Sequence, residues 1–306
     1  QELREGTFTA KQLKPLGYTA HELRVAGFEA IELREVNFTL AELKAGEYTA
    51  TELKDARFYA NEMRAADFKA IDLKQAGYSG AEIRSGGYTA IQMKEAGFTA
   101  KRVKVAGYSA AEALEASWSI EVLKEASYAA VELREADCSA LELKAVGFDL
   151  KELREAGYTT PELQAVGYGA EELRAAGTSL AELTSAGASV ADLKAAGISA
   201  IGLKAEGMSL LAMRDAGYPL EELKRAGFTA TELRNANFNA QELIEVGFIA
   251  KDLKDAGYGS AEELRAAGCT VRDLKEGGFN ARSLRKGGFT AEDLIAGGFT
   301  PALLKE

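Results

Sequence analysis

The chain has 306 residues, 27% of them charged, and a net charge of −10 at neutral pH. That acidic balance disfavours a phosphate backbone or an anionic membrane surface as partner, so no nucleic-acid binding is expected. No apolar run reaches the ~20 residues of a spanning helix, so membrane insertion is not expected either, and two cysteines with one histidine provide no paired metal-ligand motif.

A ten-residue phrase, aromatic-Thr-Ala-x-Glu-Leu-Lys/Arg-x-Ala-Gly, recurs from end to end. Leu13, Leu23, Leu33, Leu43 and Leu53 open a column that Met63, Leu73, Ile83, Met93 and Val103 continue, with a lapse at Ala113. From Leu253 the next equivalent residue is Leu264, after which Leu274, Leu284 and Leu294 restore the spacing. A chain of this length ordinarily makes about two domains, but no linker or charge run breaks the period. Residues 1–306 therefore read as a single continuous array with one eleven-residue unit near 254–264. Gln1 falls inside a repeat, so the chain is expected to be a portion of something longer.

Taken in chain order, the first distinctive unit contains Pro15, near the sixth helical position, where it removes an intrahelical hydrogen bond; this helix should be short or kinked. The next, "YTAHELRVAG", specifies both ends of a very short helix. Thr19 is the N-cap and Glu22 completes a capping box, while Tyr18 and Leu23 form a hydrophobic staple. Arg24 complements the C-terminal dipole and Gly27 supplies the left-handed stop. The helix is then about seven residues, with Ala20, Leu23 and Ala26 along its inner face. His21 sits at an exposed position with no nucleophile or ligand converging on it, so no catalytic residue is expected. Asn37, Glu47, Arg57 and Asp67 replace the terminating glycine in succession, which predicts altered turns or lower stability over 37–70.

Further along, Trp118, Cys138, Thr178, Ala188, Ile198, Met208 and Cys269 occupy the aromatic column. Enlarged neighbours such as Ile120, Leu180, Val190 and Leu210 regain the lost volume, as an exchangeable core permits. The alternative is a partner groove around Thr178, Ala188, Ile198 and Met208. Both cysteines replace core aromatics and read as reduced, which favours an intracellular compartment. At the eleven-residue unit, Ser260 with Glu263 restores the capping box, so the extra residue belongs to the loop at Gly259. The last units place Gly277, Gly287 and Gly297 in a small-residue column, predicting looser packing there. The first unit, "QELREGTFTA", and the last, with Pro301 at a first helical position, keep the ordinary apolar column and so predict open ends.

A continuous coiled coil fails on the recurring Gly and cap, and a β-solenoid fails on the dominance of Ala, Glu, Leu, Lys and Arg. One unit cannot stand alone: burying a Leu and an aromatic contributes about 3–6 kcal/mol, whereas fixing ten backbones costs about 10–20 kcal/mol. Stability must come from stacking. The fold class is therefore all-α, an α-solenoid or superhelical rod of about thirty very short helices. In these features the chain resembles the α-solenoid class that includes armadillo, HEAT and tetratricopeptide arrays, with helices about half as long and without their family motifs. Two helices per layer would make a rod of roughly 140 Å, though the sequence leaves that number open.

The glutamate and Lys/Arg columns alternate in sign and read as a solvated, mutually neutralising face. The Ser/Thr column reads as occupied by capping rather than as a ladder for an ordered surface. No cofactor is expected. A non-enzymatic structural element of an extended assembly or filament fits this uniformity best, with protein partners or copies of itself, possibly end to end. A solenoid scaffold binding a protein or peptide along its surface is the alternative.

Overall fold

A computed structural model describes residues 8–300. Among them lie 29 α-helices, one per repeat, and no strand. The first and last units' outer residues, Pro301 included, fall outside the described range.

Six residues form the standard helix, one fewer than the motif suggests, because the seventh, such as Ala26, is already the C-cap. At the start of Ala20–Val25 the Glu22 N–H donates to the Thr19 hydroxyl at 3.3 Å, and the Glu22 carboxylate accepts the Thr19 N–H at 2.8 Å. At its end the Gly27 N–H donates to the Arg24 carbonyl at 2.9 Å and the Phe28 N–H to the Leu23 carbonyl at 3.0 Å, with Gly27 at φ +91°. This paired arrangement satisfies carbonyls that a short helix otherwise leaves orphaned, and it requires the left-handed residue.

That bonding also bears on the altered turns expected at the non-glycine stops. Asn37, Glu47, Arg57 and Asp67 adopt φ of 64°, 65°, 65° and 61°, and the Phe58 N–H still reaches the Leu53 carbonyl at 3.0 Å. The turns over 37–70 are therefore unaltered; the steric cost of about 1 kcal/mol per residue is borne as strain. Pro15 acts as its chemistry dictates. The α-helix there is cut to Ala10–Leu13, followed by a 3₁₀ turn Lys14–Leu16.

Contacts group the chain into two units, Gln1–Thr159 and Thr160–Glu306. Inside each unit a helix packs chiefly on the helix two repeats away: Ala30–Glu35 on Ala50–Asp55 in the first, Ala230–Asn235 on Ala250–Asp255 in the second. Two repeats thus make one coil, and alternate helices form two side-by-side stacks. The Leu column is wholly buried, from Leu23 to Leu143 in one unit and from Leu173 to Leu294 in the other, each contributing about 1.5–3 kcal/mol.

The eleven-residue unit is absorbed in the loop. Ser260 caps Ala261–Ala266, accepting the Glu263 N–H at 3.0 Å, and Ala261 and Leu264 still face inward. The glycines near the end overturn the expectation of looser packing. A Cβ at Gly287 would lie 2.6 Å from that of Ala261, and one at Gly297 would lie 2.3 Å from Val271 Cγ1. At these glycines the adjacent coil has closed in to a distance that leaves no room for a methyl group.

Candidate functional site

The most elaborate chemistry in the chain is a link between coils, and it begins at the Lys/Arg after the core leucine. This side chain does not stay on its own helix. Lys74 Nζ donates to the carbonyls of Ala96 and Gly97, both at 2.8 Å, and lies 4.9 Å from the centre of the Phe98 ring. Those carbonyls end the helix two repeats on, Ala90–Glu95. One cation therefore caps the next coil's helix dipole and stacks on its aromatic residue. Arg34 does the same to Ala56 at 2.7 Å and Phe58 at 4.4 Å. In the second unit Lys194 reaches Ala216 and Gly217 at 3.0 and 2.6 Å, and Lys224 reaches Val246 and Gly247 at 2.7 and 2.8 Å.

Where the ring is tyrosine, a second link runs the other way. Tyr48 Oη donates to the Phe28 carbonyl at 2.8 Å, and Tyr78 to Phe58 and Tyr88 to Phe68 at 2.6 Å each. Burial pushes the Tyr48, Tyr78, Tyr88 and Tyr128 phenols up to about 12. The capping carboxylates shift downward. The backbone N–H of the cap threonine, and then its hydroxyl, hold Glu22, Glu42 and Glu232 below the ordinary carboxylate value. Where the cap hydroxyl is missing, the carboxylate half of the box persists: Glu32 accepts from the Glu29 N–H at 2.6 Å, Glu132 from Ala129 at 2.6 Å and Glu172 from Gly169 at 2.9 Å. Some cations add an ion pair, as Lys104 does with Glu132 at 2.6 Å and Arg24 with Glu52 at 3.3 Å. The charged columns are thus mutually neutralising, and their basic members also hold coils together.

The link leaves a trace in the sequence. The cation column breaks at Leu114, Gln164, Thr184 and Ile244, and the aromatic column breaks at the positions they would reach: Cys138, Ala188, Met208 and Cys269. Every missing cation faces a missing ring, whereas Thr178 and Ile198 lack a ring although Arg154 and Arg174 stand at the reaching positions. A family model, described as the decapeptide repeat region, matches residues 1–70, 37–110, 87–160, 137–210, 157–227, 207–262 and 259–306. The chain belongs to the decapeptide repeat family. Among curated proteins no relative matches.

Within this decapeptide array the sequence-predicted groove residues have unlike surroundings. Thr178 is buried, and its hydroxyl has no hydrogen-bond partner among the described residues. Ala188, Ile198 and Met208 are half-buried. The Ile198 carbonyl accepts Tyr218 Oη at 2.6 Å, and the space beside Gly202 is approached by both Leu180 and Ile198, so the enlarged leucine fills room near the missing ring. Cys138 and Cys269 are buried free thiols, raised above their ordinary value by burial. His21 is half-exposed, with Nδ1 3.9 Å from Glu47.

Surface depressions recur at equivalent places in the decapeptide repeat. One is lined by Lys14, Phe38 and Gly46, another by Lys74, Phe98 and Ala106, a third by Arg265, Phe289 and Gly297. They are the outer mouths of the coil-to-coil link. Among the described residues no group of three acidic, histidine or cysteine side chains is placed to hold a metal, and no helix is long and apolar enough to cross a membrane.

Sequence reasoning placed the caps, the stop and the core columns, but it assigned Lys/Arg to its own helix end. The paired losses of cation and ring were the signal that could have revealed its true destination.

Proposed function

We propose that this decapeptide repeat protein is a non-enzymatic structural element, a building block or spacer of an extended protein assembly. The observation supporting this is the coil-to-coil link itself: the same cation, carbonyl and ring contacts recur within each unit, so a coil offers the next one the surface it was itself offered. Mechanical load is shared among equivalent contacts, each of modest strength. Negative-stain imaging and sedimentation of the purified chain test the proposal. End-to-end polymers that lengthen with protein concentration are expected, and a chain that remains monomeric up to tens of micromolar contradicts it.

A second reading, a scaffold that holds a protein or peptide along its surface, is supported by the exposed apolar residues Ile31, Ile71 and Ile91 on the outside of the helices.

A further inference from the structure

The core columns are alike in both stacks of the first unit, but the outer columns are not. The helices Ala30–Glu35, Ala50–Asp55, Ala70–Gln75, Ala90–Glu95, Ala110–Glu115 and Ala130–Glu135 pack in succession as one stack. Their second residues are Ile31, Thr51, Ile71, Ile91, Ala111 and Val131, all exposed. Ile31, Ile71, Ile91 and Val131 retain 37%, 42%, 40% and 44% of their surface in solvent. Four residues later on the same helix face stands an acidic row, with Glu35, Asp55, Glu95, Glu115 and Glu135. All five are exposed, and none makes an ion pair or side-chain hydrogen bond among the described residues.

The neighbouring stack has neither row. Its equivalent second residues run Ala41, Asn61, Ala81, Lys101 and Glu121, and its equivalent sixth residues run Ala45, Ala65, Ser85, Val105 and Glu125. The repeat chemistry does not explain the difference, because the capping box uses the third helical residue and the coil-to-coil link uses the fifth. The acidic row is uncompensated while the acids of the capping boxes are hydrogen-bonded and some are paired.

We propose that this face of the first unit docks a basic amphipathic helix of a protein partner. The proposal rests on the scaffold reading and names its face and its partner's chemistry. An apolar row beside a row of free carboxylates is complementary to a helix whose apolar stripe is flanked by Lys and Arg. Adjacent helices in a stack lie about 9 Å apart, so Ile31 to Val131 spans about 45 Å over five intervals. That is the length of a partner helix of about 30 residues at 1.5 Å each. A second copy of this chain is disfavoured as occupant, since two such faces would bring their free carboxylates together.

The test uses the full chain and a fluorescein-labelled 28-residue amphipathic peptide of Leu and Lys, with a Leu/Glu peptide of the same pattern. The expected result is saturable one-to-one binding of the Leu/Lys peptide, weakened at least ~10-fold more by Ile71→Lys with Ile91→Lys than by Ala81→Lys with Ser85→Lys. The second pair adds the same charge to the other stack and so controls for general attraction to an acidic protein. Circular dichroism checks that both variants fold. Equal weakening by the two pairs overturns the assigned face, and no saturable binding overturns the scaffold reading with it. Leu/Glu binding as tight as Leu/Lys, still abolished at Ile71 and Ile91, keeps the scaffold but overturns the basic partner. A dimer in sedimentation equilibrium that Ile71→Lys with Ile91→Lys dissolves assigns the face to a second copy instead.

Discussion

Replacing Lys74 by methionine keeps the side chain's length and helix propensity but removes its charge and donors. Three contacts vanish together: hydrogen bonds to Ala96 O and Gly97 O at 2.8 Å each, and the cation over Phe98 at 4.9 Å. Hydrogen bonds from a charged donor contribute about 1.5–3 kcal/mol when buried, but the Gly97 end is exposed and water replaces much of that bond. A partly buried carbonyl cap of about 1 kcal/mol, a residual dipole effect of about 0.5 kcal/mol and a cation–π contact of about 0.5 kcal/mol give roughly 2 kcal/mol. The loss should fall on the helix two repeats on, whose closing amides at Ala96, Gly97 and Phe98 donate to Gln92, Lys94 and Met93. Native-state hydrogen exchange reads this directly, since 2 kcal/mol corresponds to about a 30-fold faster rate. Lys74→Arg should restore most of the protection. A change in exchange at 96–98 of less than about 2-fold, or a loss confined to Lys74's own helix, Ala70–Gln75, would contradict the coil-to-coil link.

Three more outcomes follow from the same geometry. Thr178→Val removes a buried hydroxyl that lacks a partner, so thermal or urea unfolding should show the variant more stable by about 1 kcal/mol. Gly287→Ala should destabilise by about 1–3 kcal/mol, because the new Cβ would meet backbone and Cβ of Ala261 within 2.7 Å; a neutral result in urea unfolding contradicts the close approach. The capping carboxylates are depressed, so their stabilisation is present above the ordinary carboxylate range and is lost as pH falls through the lowered values. Exchange at acid pH should therefore loosen the first turn of Ala20–Val25, but not that of Ala100–Val105, whose third residue is Arg102. The buried tyrosines are raised, so their contribution is complete below about pH 10 and fades toward pH 12.

Most of what is local to one repeat was legible in the sequence, apart from the helix ending one residue early at Ala26 and the left-handed stop being kept at Asn37, Glu47, Arg57 and Asp67. Thr19, Glu22, Leu23 and Gly27 each act within ten residues through backbone bonds that any helix end requires, and Pro15 and the extra residue at Gly259 act through the same local rules. What depends on coil size was not legible, because an identical decapeptide can close into coils of two or more helices. Lys74 illustrates this: without knowing which helix lies over it, a basic residue near a C-terminus is indistinguishable from a cation serving its own dipole. The outer face was hidden for the same reason. Ile31, Ile71, Ile91 and Val131 are scattered singles in a list of thirty units, and they become a row only when every second helix stacks.

Both the cation links and the outer row depend on the coil having two helices, and nuclear Overhauser contacts between assigned methyl and α protons distinguish that coil from larger ones. Coils of two helices place the Ala20 methyl against Gly46, that of Ala60 against Gly86 and that of Ala261 against Gly287, where a built Cβ would stand 2.8, 2.7 and 2.6 Å away. Each pair is 26 positions apart, and two-helix coils should give strong contacts at that separation in both units. Contacts at 36 positions instead would mean three helices per coil, which would contradict the cation links and the outer row alike.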